Sequence, residues 1–227
     1  MRFDLASEWR LSCGRKGIPE IPVQLPGDNY SALLDSGLIP DPCIGLNENA
    51  VQWVHECDWI FAKEFELKPE FLASKVIFLN IDSIDTFGEV RINGGFAGRS
   101  ENMFSRFRTD VKKLLKPGLN RIEILIKSPS CRALEESRNQ PFELVSLKFM
   151  NSVPLQCHGG WDWGITLVGS GLPRVLRVRG SKGSACRFQR QQLHSSSGKS
   201  ARADFCRRFE QRGTRTPFGN PRPARIL

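Results

Sequence analysis

The residues of this chain best equipped to bind a ligand stand together in the segment His158-Gly159-Gly160-Trp161-Asp162-Trp163-Gly164. An ionised carboxylate offers two acceptor oxygens, which can take hydrogen bonds from two neighbouring hydroxyls. An indole offers an apolar face and one N–H donor. Spacing alone favours a plainer interpretation. Tryptophans two apart on a strand share one face and are typical of a core, which leaves Asp162 facing solvent.

The other residue types that perform chemistry are sparse. A histidine such as His158 is more often a structural hydrogen-bonding residue than a ligand or base. The seven cysteines are irregularly spaced and form no C-x-x-C pair, so the sequence supports no metal site and no redox motif. No cofactor is expected.

Local patterns predict short strands with few helices. Asp28 before Tyr30, followed by Gly37, predicts one capped helix. From Trp59 to Leu67, apolar and acidic side chains alternate as on a half-buried strand. Val76–Ile81 is a short apolar run typical of a buried strand.

Two turn signals divide the next part of the chain. The alternation from Thr86 to Ile92 stops at Asn93-Gly94, a dipeptide favoured in tight hairpins. Lys116 to Asn120 is predicted as a turn, and Ile122, Ile124 and Ile126 then line a further strand. Repeated short strands with turn signals predict a sandwich or jelly roll.

Charge divides the chain unevenly. The formal charge is +9, and Ser181–Leu227 contains eleven Lys or Arg against two acidic residues, whereas the remainder carries 22 of each sign. Apolar residues are sparse in this last part, so little can be buried against the entropy of ordering it. We predict a strand-rich domain over residues 1–178 and a disordered basic tail over residues 179–227.

The compartment follows from the amino terminus and the cysteines. Residues Met1 to Trp9 place acids where a signal peptide has its apolar core. No apolar run approaches the roughly 18 residues that would span a bilayer. An odd number of irregularly spaced cysteines is typical of free thiols, so a cytoplasmic location is expected.

Three stretches, in order and in rough spacing, resemble the amino-terminal domain of glycoside hydrolase family 2 β-mannosidases, over about residues 9 to 172. The ordered set is specific, whereas any one stretch is only suggestive. The stretches are Pro26-Gly27-Asp28 with Leu33-Leu34-Asp35-Ser36-Gly37-Leu38-Ile39-Pro40-Asp41-Pro42, Gly45-Leu46-Asn47-Glu48, Val51-Gln52-Trp53-Val54 and Asp58-Trp59; Ile84-Asp85-Thr86-Phe87 with Asn93-Gly94, Gly98-Arg99-Ser100-Glu101-Asn102-Met103-Phe104 and Phe107; and Gln156-Cys157-His158-Gly159-Gly160-Trp161-Asp162-Trp163-Gly164.

The resemblance implies an all-β fold, a galactose-binding-like jelly-roll sandwich with short helices. In full-length members it implies later immunoglobulin-like domains and a (β/α)8 barrel with two glutamates, which hydrolyse terminal non-reducing β-D-mannose residues with retention. Such chemistry needs two carboxyls about 5–5.5 Å apart. No carboxylate of this chain matches either glutamate, so no catalytic residue is assigned and the 227 residues alone are expected to be inactive.

The resemblance also implies substrate contacts. Asp162 is expected to accept hydrogen bonds from the ring hydroxyls of the terminal mannose, and Trp161 to pack beside the sugar. His158 and Trp163 are candidates for supporting these two residues. Related β-galactosidases and β-glucuronidases share the domain plan, and the Trp-Asp-Trp-Gly loop with Gly37-Leu38-Ile39-Pro40-Asp41-Pro42 favours mannose.

This sequence also departs from the family pattern. Gly159 stands where the family usually has an aromatic residue, and Ile165-Thr166 where it has a Pro-Arg pair. The match becomes a near miss from Leu172 and stops after Val178. We therefore hypothesise that the tail, from somewhere near Leu172–Ser181, is an out-of-frame translation, which the other reading frames of the gene would test.

Two other classes of function stay open. The same fold serves in lectins, so a stand-alone carbohydrate-binding module without hydrolase activity is the main alternative. The expected partners in the leading interpretation are a β-mannoside glycan and further domains of the same enzyme. A basic arm for nucleic acid is less favoured, because the tail has charge but no recognition motif.

Overall fold

The computed structural model describes residues 2–5, 7–138, 164–174 and 176–181. The chain divides into one unit of residues Met1–Gly183 and a second of Ser184–Leu227, and all described residues belong to the first unit. Most of the tail that is predicted to be disordered, residues 182–227, therefore lies outside the described residues.

Short strands dominate the described part of the chain. In order they are β1 (Arg2–Asp4), β2 (Trp9–Cys13), β3 (Ile21–Val23), β4 (Gly27–Asp28), β5 (Trp59–Leu67), β6 (Val76–Ile81), β7 (Gly88–Ile92), β8 (Gly95–Ser100), β9 (Phe107–Asp110), β10 (Gly118–Ile126), β11 (Gly171–Leu172) and β12 (Leu176–Ser181). The helices are short: α1 (Asn29–Asp35), α2 (Asn47–Ala50), α3 (Pro69–Leu72), α4 (Pro129–Arg138) and two 3₁₀ helices, Gln52–Glu56 and Lys112–Leu114.

The strands form two main antiparallel sheets. One has six strands in the order β3-β2-β5-β10-β7-β8, and the other has four in the order β1-β12-β6-β9. A small third sheet pairs β11 with β4. The inward side chains of both large sheets, such as Phe61, Ile124, Leu79 and Val178, belong to one buried cluster. This is a β-sandwich, and the all-β prediction is confirmed.

Several predicted elements occur where the sequence patterns placed them. β5 and β6 have the predicted bounds, and Asn93-Gly94 joins β7 to β8 with φ angles of 51° and 80°. Asp28 caps α1 by accepting a hydrogen bond from the Ser31 amide. Gly37 follows the helix with a φ of +67°, which glycine adopts without steric cost.

Other details differ from the predictions for physical reasons. β7 begins at Gly88 rather than Thr86, because the chain turns here and the Gly88 amide donates to the Thr86 carbonyl at 3.1 Å. β10 begins at Gly118, inside the predicted turn. Lys63 lies on the buried face of β5 with 6% exposure, and its ammonium donates to the Ser7 carbonyl at 2.6 Å. The long aliphatic stem of lysine packs in the core while the charge reaches a polar partner.

Candidate functional site

The four residues that the sequence singles out, His158, Trp161, Asp162 and Trp163, lie outside the described residues. Their roles therefore stay predictions. The structure instead describes the chain on both sides of them, up to Arg138 in α4 and again from Gly164. These two flanks show how the sandwich holds the chain around the predicted contact residues.

The downstream flank, residues 164–172, is called the anchored segment here. Its last two residues form β11, in which Gly171 pairs with Asp28 and Leu172 with Gly27. The other edge of Gly171 exchanges two backbone hydrogen bonds with Asp85, at 3.0 and 3.1 Å. Both backbone polar groups of Gly171 are thus bonded to Asp85, while its other side faces Asp28 in the β4–β11 pair, so two separate parts of the sandwich determine its position.

Asn29 strengthens this attachment from the start of α1. Its side chain is completely buried, and its Oδ1 accepts hydrogen bonds from the Ser170 and Tyr30 amides, both at 3.0 Å. The backbone N–H of Asn29 in turn donates to the Ser170 carbonyl at 3.0 Å. Side-chain and backbone hydrogen bonds therefore attach Ser170 to the residue that begins α1.

A second attachment lies further upstream, at Thr166. The Thr166 amide donates to Glu48 Oε1 at 2.8 Å, and its carbonyl accepts from Gln52 Nε2 at 3.0 Å. The same Gln52 amide donates to the Glu48 carbonyl at 2.9 Å. Glu48 and Gln52 thus satisfy both backbone polar groups of one residue, as two facing side chains four residues apart can do. The sequence analysis assigned no such role to them.

The upstream flank is held by the 3₁₀ helix Gln52–Glu56, called the anchor helix here. Just before α4, Ser128 Oγ donates to the His55 carbonyl at 2.8 Å, and the Ser128 amide donates to Asp58 Oδ1 at 2.8 Å. The Cys131 thiol approaches the Glu56 carbonyl at 4.0 Å. Because Gln52 also binds Thr166, the anchor helix contacts the chain on both sides of the predicted contact residues.

His55 in the anchor helix is also buried, with 5% exposure. Burial lowers the pKa of its imidazole below the ordinary value of 6.5, and the nearby Glu56 carboxylate offsets part of this effect. A neutral imidazole is therefore favoured at this position near neutral pH.

An open cleft of about 760 Å³ lies beside the anchored segment. Its lining includes Asp28, Tyr30, Asp85, Met103, Ile165 and Leu167. Burial, with a smaller contribution from the Asp28 carboxylate, raises the pKa of the Tyr30 hydroxyl, so Tyr30 stays neutral. The cleft combines carboxylate acceptors with apolar side chains, a combination that suits a ligand with hydroxyls on one face and C–H groups on another.

The Asp85 carboxylate at this cleft is held in place. It is only 8% exposed, and it accepts a hydrogen bond from the Thr86 hydroxyl. Next to it, the Ser83 hydroxyl donates to the Met103 carbonyl at 2.7 Å, and the adjacent Phe104 is 80% exposed.

A second cleft of about 500 Å³ lies between α4 and the β7–β8 hairpin. Most of its charged side chains are already paired with one another or with a neighbour. Glu89 binds Arg91 and Arg99, and the hydrogen bond from Arg91 is the main cause that lowers its pKa. Lys127 binds Asp58 at 2.7 Å. Charges that satisfy one another leave less for a ligand, so the cleft beside the anchored segment is the better candidate site.

Among the described residues, no group of three or more His, Cys, Asp or Glu is arranged to hold a metal ion. Likewise, none of the described helices is both long and apolar enough to cross a membrane.

Sequence comparisons identify relatives of this chain. A family model described as the glycosyl hydrolase 2 galactose-binding domain-like domain matches residues 9–174. A β-mannosidase of Rattus norvegicus is 28% identical over 190 residues, which are 78% of this chain and 21% of the relative. A β-mannosidase B of Thermothelomyces thermophilus is 34% identical over 164 residues, which are 70% of this chain and 19% of the relative. The chain spans about a fifth of the length of these curated relatives.

Solved structures agree with the sequence comparisons. A β-D-mannosidase from Dictyoglomus thermophilum is 35% identical with a TM-score of 0.74, and the match covers 79% of this chain and 22% of that chain. The exo-chitosanase CsxA from Amycolatopsis orientalis matches 79% of this chain and 20% of its own, with a TM-score of 0.57 at 18% identity. At that identity the likeness to the exo-chitosanase concerns the fold alone.

Proposed function

Because this chain belongs to the glycosyl hydrolase 2 galactose-binding domain-like family, we propose that it is the sugar-recognition domain of a β-mannosidase, which removes terminal non-reducing β-D-mannose from β-mannosides. In this proposal the domain contributes Asp162 and Trp161 to the binding of the terminal sugar. The hydrolysis itself requires two carboxyls about 5–5.5 Å apart. We propose that another domain supplies them.

The observation that carries the proposal is the double attachment around the predicted contact residues. α4 and Thr166 are both held by the anchor helix, and Gly171 is held by both Asp28 and Asp85. A binding residue contributes most when its surroundings are fixed before the ligand arrives, because the ordering cost has then been met during folding. Anchors on both sides are what such a binding segment requires.

The chemistry of the proposed contacts suits a sugar ring. The Asp162 carboxylate can accept hydrogen bonds from two vicinal hydroxyls, and bonds to a charged acceptor are stronger than neutral ones. The Trp161 indole offers an apolar face to the C–H groups of the ring. We propose that His158 and Trp163 orient these two side chains.

The substrate proposal can be tested in a chimera. Residues 9–174, the part that matches the family model, would replace the corresponding domain of the Dictyoglomus thermophilum enzyme, which is 35% identical to this chain. We expect the chimera to hydrolyse 4-nitrophenyl β-D-mannoside. Asp162→Asn should lower kcat/KM about 100-fold, since charge-assisted hydrogen bonds in a desolvated site are worth roughly 1.5–3 kcal/mol each.

The matched control is Asp35→Asn, because Asp35 is an exposed carboxylate at the end of α1. This control should leave kcat/KM unchanged. An Asp162→Asn chimera as active as its parent would contradict the proposed role of Asp162. Folding of each chimera would be checked by its thermal unfolding midpoint.

The full 227-residue chain separates this proposal from the carbohydrate-binding alternative. We expect it to hydrolyse no 4-nitrophenyl β-D-mannoside and to bind methyl β-D-mannoside more weakly than millimolar, because an open site buries little of a single sugar. Isothermal titration calorimetry measures the binding. A millimolar or tighter dissociation constant without hydrolysis would favour a stand-alone binding module.

The cytoplasm stays the proposed compartment, on the grounds of the irregular cysteines. Among the described residues Cys13, Cys43, Cys57 and Cys131 are free thiols.

A further inference from the structure

Two of the free cysteines are neighbours at one end of the sandwich. Cys13 is the last residue of β2, and its register partner in β5 is Trp59. Cys57 precedes Trp59 by two residues and its backbone is extended, with φ of −96° and ψ of 146°, so we infer that its side chain faces the same side as Trp59. Cys13 and Cys57 then form a diagonal pair, and side chains in such pairs are within reach of one another.

Both thiols pack against the core while remaining half-buried. Around them, the rings of Trp53 and Trp59 lie 6.1 Å apart, and the Arg15 guanidinium lies 4.5 Å from the centre of the Trp53 ring. The Cys57 thiol interacts with both the Cys13 thiol and Arg15. The fold thus brings two thiols and one guanidinium together from positions that the sequence separates by more than forty residues.

We propose that Cys13 and Cys57 form a reversible intramolecular disulfide when the protein meets a low-molecular-weight disulfide such as glutathione disulfide. The β2–β5 ladder ends at Cys13 and Trp59. Among the described residues no further pair between these two strands follows Cys13 and Trp59. A disulfide requires the two cysteines of a diagonal pair to move slightly closer together. This movement can therefore occur here without breaking the ladder.

The reaction is an ordinary thiol–disulfide exchange. One cysteine thiolate attacks glutathione disulfide, which forms a mixed disulfide and releases one glutathione thiolate. The second cysteine thiolate then attacks the protein sulfur of the mixed disulfide and releases the second glutathione. Two protein thiols lose two protons and two electrons, and one molecule of glutathione disulfide is reduced to two thiols.

The surroundings of the pair affect the rate of this exchange. Burial is the main cause that raises the pKa of the Cys57 thiol, and the Cys13 thiol adds to it, whereas Arg15 lowers it. The thiolate is the reactive form, so oxidation should be slow near neutral pH and faster in alkaline buffer. Arg15 supplies the positive charge that a thiolate intermediate needs.

The disulfide would affect the candidate site through the loop of chain whose two ends it links. The closed loop runs from Cys13 to Cys57 and contains α1 and the anchor helix, which together hold the anchored segment. Cross-linking the ends of such a loop reduces the freedom of the unfolded chain. The oxidised protein should therefore unfold at a temperature higher by about 5 °C or more.

The experiment uses the full chain treated with glutathione disulfide and, separately, with dithiothreitol. The expected result is a peptide map in which Cys13 is linked to Cys57, with the linked peptides lighter by two hydrogen atoms than the two reduced peptides together. Thermal unfolding of both forms measures the stabilisation. Dithiothreitol should restore the masses of the two reduced peptides and the lower unfolding temperature.

Two pairs of variants make the result specific. Cys13→Ser and Cys57→Ser should each abolish the mass change, whereas Cys43→Ser and Cys131→Ser, which remove exposed thiols, should retain it. A peptide map that links Cys57 to Cys131, or that finds glutathione on Cys13 and Cys57 separately, would overturn the proposal. Peptide mapping of the unsubstituted chain tests whether Cys13 is linked to Cys57 even if a serine variant fails to fold.

Discussion

At the scale of single residues, Asn120 shows how one buried amide can organise two turns. Its Oδ1 accepts from the Lys116 amide and from Asn93 Nδ2, at 3.0 and 2.9 Å. Its own amide donates to the carbonyls of Lys116 and Gly118, at 2.7 and 2.8 Å. Asn120 is only 1% exposed, and a buried amide without hydrogen-bond partners would reduce the stability of the fold. β10 begins inside the predicted turn because Gly118 already pairs with Leu67 of β5.

His55 makes the stability of the domain depend on pH. Its folded pKa lies below the ordinary value of 6.5, so the unfolded chain binds more protons as the pH falls through this value. The contribution of neutral His55 to the free energy of unfolding is therefore fully present above about pH 6.5 and declines below it. We expect the urea midpoint of unfolding to be lower at about pH 5.5 than at about pH 7.5.

His55→Gln removes the titrating group and keeps a polar side chain of similar size. The decline in the urea midpoint between these two pH values should be smaller in this variant than in the unsubstituted chain. An equal decline in both proteins would assign the pH dependence to other groups.

At the scale of elements, β11 is only two residues long but connects three parts of the sandwich. A Cβ added to Gly171 would lie 2.5 Å from the Gly27 carbonyl oxygen and 2.9 Å from the Asp28 Cα. These are backbone atoms that cannot move away without breaking the ladder. Glycine at this position is required by the close approach of two backbones.

Gly171→Ala should therefore reduce the free energy of unfolding by about 2 kcal/mol or more. The matched control is Gly169→Ala, in which the added Cβ would be 3.8 Å from Asn29 Oδ1 and 4.0 Å from Tyr30 Cδ2, both ordinary contacts. The control should change stability by less than about 1 kcal/mol. Urea unfolding of both variants measures the difference, and equal effects would contradict the role assigned to β11.

At the scale of the whole molecule, the sandwich depends on a strand near the end of the described chain. β12 pairs with β1 on one side and with β6 on the other. It therefore lies inside the four-stranded sheet, and Leu176 and Val178 contribute to the common core. The boundary predicted at residue 178 falls three residues before the end of β12. The boundary itself stays a prediction.

Truncation tests this role of β12. A chain ending at Gly183 keeps every described strand, and we expect it to unfold cooperatively. A chain ending at Arg174 loses β12, which leaves β1 without its partner and exposes one edge of β6. We expect the shorter chain to lack a cooperative transition, because it buries too little apolar surface to offset the entropy of folding. A cooperative transition in the chain ending at Arg174 would show that β12 is dispensable.

The sequence by itself determined the local elements and the family. The period-two pattern predicted β5, the Asn93-Gly94 dipeptide predicted the hairpin, and Asp28 with Gly37 predicted the limits of α1. The three ordered stretches predicted the relationship to β-mannosidases, and the comparisons confirm it. These signals succeed because each depends on residues that are neighbours along the chain.

Tertiary structure alone decided the long-range contacts. Glu48 and Gln52 bind Thr166 across 118 and 114 residues, and Gly171 pairs with Asp85, far earlier in the chain. The burial of Lys63 and the approach of Cys13 to Cys57 likewise arise only when β2 and β5 pair. No periodicity within one segment encodes such contacts, because they depend on which strands become neighbours once the apolar faces of both sheets are buried together.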